Sequence, residues 1–286
     1  MSASLRQSPF AESLSQRLKG PPRSELTLYW LGQAGFAIDA AGRRILIDPY
    51  LSNSLASKYQ GSRFSHERMS PPPVTPEKIG VVDLVLCTHH HTDHMDAATL
   101  APLARRWPNL RFCVPAASAR LAEQRIGCGE ERLIAMDAGE CVKPFPGLSV
   151  HATRAAHETI EWDERRRCRF LGYALKVSGT TIFHSGDCVP FDGQSSEVSA
   201  LAPDLALLPV NGRSAALAEA GFAGNFRVEE AIALCDRCGI PAMIAHHYGL
   251  FAFNTAEPAV LDSALANARF AATRARRQVA YTFGIA

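Results

Sequence analysis

The first part of the chain alternates between short apolar runs and residues that favour turns. Apolar runs lie at 26–31, 36–39 and 44–48, with glycine-containing turns between them. Alternation over four to eight residues between turn glycines is typical of β-strands. The pattern predicts a β-meander, preceded by a polar lead-in over residues 1–22.

From residue 82 the pattern changes to apolar strands separated by helical periods. Residues 82–88 form an apolar run, which is typical of a strand buried on both faces. The predicted helices that follow cover 97–106, 117–126, 228–238 and 258–268. Two sheets packed face to face with helices outside would bury both sets of apolar faces. The pattern therefore predicts an α/β protein with one domain over residues 1–286.

Residues 52–76 show no steady period and are rich in serine and proline. This predicts a long loop, and loops of this length in compact domains are often functional. Tyr50, Tyr59 and residues 52–69 are candidates to cover a pocket.

Composition narrows the class of protein. Hydrophobic residues make up 47% of the chain and charged residues 20%, as in ordinary soluble domains. A formal net charge of only +2 argues against a nucleic-acid partner, and no apolar stretch reaches the ~18 residues of a membrane helix. The eight cysteines lie mostly inside apolar runs, as buried thiols do in a reducing compartment. We expect a cytoplasmic enzyme.

Candidate chemistry begins at residues 89–94, which read His-His-His-Thr-Asp-His directly after the strand at 82–88. His89 and His91 are two apart and project the same way, so they can converge on one metal ion. Asp93 and His94 follow and can face a second ion. The alternative is a polar turn in which Asp93 caps a helix. Four histidines in six positions favour the metal site, because each buried imidazole needs a partner.

Further ligand candidates follow later strands. His157 comes after the strand at 148–153, and Asp187 comes after Gly186, which permits a close approach. His247 follows another apolar run, although the adjacent His246 leaves the identity of this last ligand open. Each alone is more typical of a structural residue, but together they indicate the rest of a metal site.

Several segments between residues 26 and 256 occur in the order of a known family. They are Trp30-Leu31-Gly32-Gln33-Ala34-Gly35-Phe36, Ile45-Leu46-Ile47-Asp48-Pro49-Tyr50-Leu51-Ser52-Asn53-Ser54, Pro71-Pro72-Pro73-Val74, Val82-Asp83-Leu84-Val85-Leu86-Cys87-Thr88-His89, Ala155-Ala156-His157-Glu158, His184-Ser185-Gly186-Asp187, Leu208-Pro209-Val210-Asn211-Gly212-Arg213, and His247-Tyr248 through Phe253-Asn254. The chain thus resembles the metallo-β-lactamase superfamily and, within it, the L-ascorbate-6-phosphate lactonase-like group. These motifs are specific for fold and metal site and less specific for substrate.

The resemblance implies a four-layer αββα metallo-β-lactamase sandwich that holds two divalent ions. It assigns to the first ion His89, His91 and His157, to the second Asp93, His94 and His247, and to both, as a bridge, Asp187. Asp48 would support the ligands from behind. Asp96 is a second candidate for such support, and for both aspartates a turn or helix-cap role is the alternative. Cys188 departs from the family, which commonly has threonine there.

The predicted reaction is the opening of a sugar-acid or related anionic lactone by a hydroxide that bridges the ions. Asp93 would ligate and also move the proton. The resemblance favours Mn²⁺, with Zn²⁺ close behind and Fe²⁺ also compatible. The alternatives are a metal-dependent phosphodiesterase or ribonuclease of the same fold, and a metal-binding scaffold without catalysis.

Substrate contacts are predicted at Asn211 and Arg213, which follow a strand in a family-like motif; a buried ion pair is the alternative for Arg213. The arginine-rich run 165–169 is interpreted as a solvated hairpin tip, with an anion clamp as the alternative. The expected partner is a small, anionic molecule, without a membrane, and a homo-oligomer is compatible with the resemblance.

Overall fold

The apolar runs form two mixed β-sheets in the computed structural model, which describes residues 3–285. In chain order the strands are β1 (Ala3–Pro9), β2 (Thr27–Gly32), β3 (Gly35–Ala40), β4 (Arg43–Ile47), β5 (Leu84–Leu86), β6 (Arg111–Pro115), β7 (Leu133–Met136), β8 (Cys141–Phe145), β9 (Leu148–Arg154), β10 (Leu171–Val177), β11 (Thr180–His184), β12 (Leu205–Pro209), β13 (Ala242–His246), β14 (Ala271–Arg274) and β15 (Val279–Ile285). The first sheet has the order β1-β15-β2-β3-β4-β5-β6-β7, and the second has the order β14-β13-β12-β11-β10-β9-β8.

Helices lie outside both sheets. They are α1 (Leu14–Lys19), α2 (Ser54–Lys58), α3 (Ala97–Arg106), α4 (Ala119–Ile126), α5 (Gln194–Ala200), α6 (Ala215–Glu219), α7 (Val228–Cys238) and α8 (Pro258–Ala266). Helix α4 packs on β6 and β7 of the first sheet, whereas α7 packs on β12 and β13 of the second. None of the helices within residues 3–285 combines the length and apolar character that crossing a membrane requires.

The core is divided by the alternation of side chains along each strand. Phe36 and Ile38 of β3 belong to the large cluster between the two sheets, which also contains Tyr173 of β10. Ala37, on the opposite face of β3, packs in a second cluster with Leu100 of α3. Apolar contacts therefore hold four layers together, and the predicted αββα metallo-β-lactamase fold is confirmed.

Residues 3–22 contain a strand and a helix, whereas the sequence pattern predicted a polar lead-in over residues 1–22. Strand β1 pairs antiparallel with β15, with Leu5 opposite Phe283. Helix α1 begins with a capping box in which Ser13 and Gln16 exchange hydrogen bonds, and it buries Leu14 and Leu18. The pairing partner of β1 lies at the other end of the chain, so the local pattern held no sign of it.

Parallel neighbours align the loops that carry the candidate chemistry. Strand β5 runs parallel to β4 and β6, and β12 runs parallel to β11 and β13. The carboxyl ends of parallel strands lie at one edge of a sheet, which is where α/β proteins place their ligands.

Candidate metal centre

The structure brings all the predicted metal ligands together at this edge. Residues 89–94 follow β5, and single residues follow three strands of the other sheet: His157 after β9, Asp187 after β11 and His247 after β13. Three groups have donor atoms within 4.8 Å of one another: His89, His91 and His157; Asp93, His94 and His247; and His89, His94 and Asp187. The first two groups are the two ligand trios that the family resemblance implies.

Asp187 lies between the two trios. Its Oδ2 is 3.4 Å from His94 Nε2 and 3.1 Å from His247 Nε2, both in the second trio. The same oxygen is 3.9 Å from Nε2 of His157 in the first trio. This is the position that a carboxylate bridging two ions would occupy.

The hydrogen-bond inventory tests whether these residues fit metal ions. Buried polar atoms normally have partners, yet three atoms of the cluster, Nε2 of His89, Nε2 of His94 and Oδ1 of Asp187, have none within residues 3–285. Imidazole nitrogen and carboxylate oxygen are ligands of Zn²⁺, Mn²⁺ and Fe²⁺. The residues present therefore fit two divalent ions.

Burial and charge set the protonation of the cluster. Burial lowers the pKa of His157 to about 4 and that of His89 well below its usual range, so both rings are neutral and ready to ligate. Burial also acts to lower the pKa of His94, but the carboxylates of Asp187, Asp48 and Asp93 outweigh it and hold that pKa well above its usual range. Metal ligation requires the neutral ring, so an ion at this point would displace a proton.

Asp48 supports His94 from behind. Its Oδ2 accepts hydrogen bonds from His94 Nδ1 at 2.8 Å and from Thr88 Oγ1 at 2.6 Å, and its Oδ1 accepts one from the Thr88 amide at 2.8 Å. Because a carboxylate oxygen accepts, the neutral His94 ring that ligation requires would keep its proton on Nδ1 and present the lone pair of Nε2 to the centre. This is the geometry expected of the predicted supporting residue.

Asp96 instead has the geometry of the helix-cap alternative. Its side chain accepts hydrogen bonds from the Ala98 amide of α3, from Thr99 Oγ1 at 2.6 Å and from Ser54 Oγ at 2.9 Å. These contacts place the start of α3 next to α2, and none of them involves a candidate ligand.

Gln33 belongs to the site, although no role was predicted for it from the sequence. Its Nε2 donates to Asp93 Oδ2 at 3.1 Å and lies 3.2 Å from His247 Nε2. Its carbonyl oxygen accepts from the His247 amide and from Trp30 Nε1, both at 2.9 Å. Gln33 lies in one of the motifs that carry the family resemblance, but an amide between strands has no ligand chemistry to distinguish it.

The structure separates His247 from His246. Side chains of neighbouring residues on a strand point to opposite faces. The side chain of His246, the last residue of β13, lies between the two sheets. There its ring stacks on His184 at 4.7 Å and meets Phe36 edge-on at 5.5 Å. His247, with a φ of +64°, faces the ligand cluster.

Arg213 and Asn211 do not reach the cavity beside the centre. Arg213 donates through Nη1 and Nη2 to the two carboxylate oxygens of Glu230, at 2.6 and 2.7 Å. Asn211 accepts a hydrogen bond from Asn225 and donates one to Asn254, and Asn254 lines the cavity. The geometry thus favours the ion-pair alternative for Arg213 over the predicted substrate contact, and places Asn211 one residue behind the wall.

Cys188 and the arginine-rich run 165–169 also lie away from the reacting region. The sulfur of Cys188 accepts hydrogen bonds from the Ala156 amide and from Gln194 Nε2, and burial raises its pKa to about 12. Arg167 pairs with Asp163 at 2.6 Å across the tip of a hairpin. The thiol therefore packs behind the site, and the arginine run has the geometry of the hairpin-tip interpretation.

A cavity of about 270 Å³ gives access to the centre. Its wall includes the candidate ligands His91, Asp93, His157, Asp187 and His247 together with Gln33. The loop after β4 contributes Leu55, Lys58, Tyr59 and His66. This loop is part of the segment predicted to cover a pocket.

Comparison with known proteins gives one family and one fold. Residues 43–248 match the family model described as the beta-lactamase superfamily domain. A UPF0173 metal-dependent hydrolase of Caldivirga maquilingensis is 30% identical over 185 residues, which cover 65% of this chain and 70% of that protein.

Two solved structures share the fold at lower identity. Igni18, a metallo hydrolase from Ignicoccus hospitalis, superimposes with a TM-score of 0.66 and 22% identity, over 91% of this chain and 99% of that chain. An isothiocyanate hydrolase from Delia radicum gut bacteria superimposes with a TM-score of 0.68 and 18% identity, over 87% of this chain and 95% of that chain. At these identities the likeness concerns the fold alone.

Proposed function

This chain belongs to the beta-lactamase superfamily domain family and is a metal-dependent hydrolase, and from that premise we propose that it opens lactones with two divalent ions. The observation that carries the proposal is the position of Asp187 Oδ2 between the two ligand trios, beside a cavity large enough for a small molecule. The membership of the lactonase-like group and the choice of Mn²⁺ or Zn²⁺ are parts of this proposal.

When bound, the two ions supply a hydroxide at neutral pH and polarise the carbonyl oxygen under attack. Asp93 is the residue that would take up and return the proton. Its side chain is 17% exposed, against 5% for Asp187, so it is the more exposed of the two carboxylates that line the cavity. Burial acts to raise the pKa of Asp93, but His94 and His247 outweigh burial and lower that pKa, so the carboxylate is ionised.

Gln33 would keep Asp93 in position. Its Nε2 holds Asp93 Oδ2, while its carbonyl oxygen fixes the backbone of His247. The site charge also favours the reaction, because five neutral imidazoles and two carboxylates leave two divalent ions with a net positive charge. A pair of ions held by these seven residues would favour an anionic substrate or transition state.

The first test reconstitutes the protein with Mn²⁺ or Zn²⁺ and measures hydrolysis of lactones and of phosphodiesters. We expect turnover of lactones, and we expect His91→Ala to lose bound metal and more than ~100-fold of the rate, beyond the usual effect of a supporting partner. His151→Ala is the matched control, because His151 lies on β9 outside the ligand trios. Turnover of phosphodiesters alone, or a His91→Ala protein with full metal content and full rate, would overturn the proposal.

A further inference from the structure

Five rings form a second wall of the cavity, which we name the aromatic wall: Tyr59, His66, Phe222, Phe251 and Phe253. They come from three separate parts of the chain. Tyr59 and His66 follow α2, Phe222 follows α6, and the remaining two follow β13. Five of the seven candidate metal ligands line the same cavity, so a molecule that reaches the centre also meets these rings.

The rings of the aromatic wall are already packed against one another. Tyr59 stacks on His66 with centroids 4.0 Å apart and planes at 18°. His66 meets Phe251 and Phe253 edge-on, each at 4.9 Å, and Phe222 lies 5.1 Å from Phe253. These distances are those of favourable aromatic pairs, so the wall is assembled before any ligand arrives.

Burial distinguishes the aromatic wall from an ordinary core. His66 and Phe251 are buried, whereas Tyr59, Phe222 and Phe253 are only half-buried and line the cavity. Apolar surface left open in a concave site is typical of a pocket that binds an apolar group.

A lysine and an arginine, Lys58 and Arg125, also line the cavity. Recognition of phosphate or carboxylate typically uses an arginine fork, and Nη1 of Arg125 donates to the carbonyl oxygens of His90 and Met95. Lys58 is exposed, with its Nζ 5.2 Å from the Tyr59 ring. The lining thus combines polar groups, among them five candidate ligands and these two cations, with the rings of the aromatic wall.

We propose that the aromatic wall binds an apolar substituent, alkyl or aryl, carried by the molecule that reacts at the metal centre. The reaction rests on the proposed function, whereas the binding preference does not. Unsubstituted and polyhydroxylated lactones would leave the aromatic wall exposed to water, whereas lactones with an alkyl or aryl substituent would bury it.

The test compares kcat/KM for δ-valerolactone, an alkyl-substituted δ-decalactone, the aryl-fused 3,4-dihydrocoumarin and glucono-δ-lactone. Burying one alkyl chain or ring predicts a preference of about 10-fold or more for the substituted rings. Phe222→Ala and Phe253→Ala should each lower the ratio of substituted to unsubstituted kcat/KM by about 10-fold. Trp162→Ala is the matched control, because Trp162 is an exposed ring outside the cavity wall, and it should keep the ratio.

Binding measured by calorimetry separates this inference from the reaction. The probes are 4-phenylbutyrate and gluconate, both carboxylates, titrated into the metal-loaded protein and into Phe222→Ala. If every lactone is inert but 4-phenylbutyrate binds more tightly than gluconate and loses affinity in Phe222→Ala, the proposed reaction fails and the aromatic wall stands. Equal or tighter binding of gluconate, or unchanged ratios in both phenylalanine variants, would overturn the inference.

Discussion

Asp48 decides which nitrogen of His94 carries the ring proton, and so whether Nε2 is free to bind a metal ion. An asparagine at this position would present an N–H to His94 Nδ1, so the ring proton would move to Nε2 and block ligation. We expect Asp48→Asn to weaken metal binding about 10- to 100-fold, as loss of supporting partners usually does. Competition with a chromophoric chelator measures this affinity.

The control for that prediction makes the same change at an exposed position. Asp262 lies on α8 and pairs with Arg274 and Arg276 at the surface. Asp262→Asn should leave the metal affinity unchanged. If Asp48→Asn binds metal as tightly as the wild type, the orientation of His94 does not depend on this carboxylate.

At the scale of elements, the turn after β11 depends on Gly186. Its φ is +63°, and a Cβ there would lie 2.6 Å from the Leu171 carbonyl oxygen and 3.0 Å from Thr88 Cβ. Gly186→Ala therefore adds steric overlap to backbone strain and would displace Asp187. We expect a loss of unfolding free energy of ~2–5 kcal/mol, summing a left-handed non-glycine residue and an overpacked site, together with lower metal content.

Gly42→Ala separates the two contributions to that loss. Gly42 has a similar φ of +73°, but nothing lies within 4 Å of the position that a Cβ would take there. This variant should lose only ~1–2 kcal/mol from strain and keep its metal. Denaturant unfolding of both variants measures the difference. Equal losses of unfolding free energy would mean that the turn after β11 relieves the steric overlap at Gly186 without a loss of stability.

At the scale of the whole molecule, the ions would join the two sheets. The first sheet supplies residues 89–94 after β5, and the second supplies His157, Asp187 and His247. A ligand that binds only the folded state stabilises it by ~2.7 kcal/mol per site at 100 times its dissociation constant. Chelation should lower the unfolding temperature, and Mn²⁺ or Zn²⁺ should restore it, whereas Ca²⁺, which prefers oxygen ligands, should not. An unfolding temperature that does not change when Mn²⁺ or Zn²⁺ is added would contradict the prediction that two ions join the sheets.

Several elements were predictable from local pattern, while others were not. The strand at 171–177 and the helix at 228–238 agree with β10 and α7, because strong periodicity reports which face is buried. The edge strands β1 and β14 were missed, since each pairs with one strand only, and the partner of β1 lies at the other end of the chain. A cytoplasmic location, a single domain and a homo-oligomer stay predictions.

The sequence by itself determined the donor chemistry and the layers. Histidines and aspartates at the ends of apolar strands identify a metal site, because few other roles need that set of side chains. Tertiary structure alone decided that Gln33 holds Asp93, that Glu230 engages Arg213, and that Tyr59, Phe222 and Phe253 share a wall. The physical reason is that periodicity records burial one element at a time, whereas these contacts join residues that only the packing of both sheets brings together.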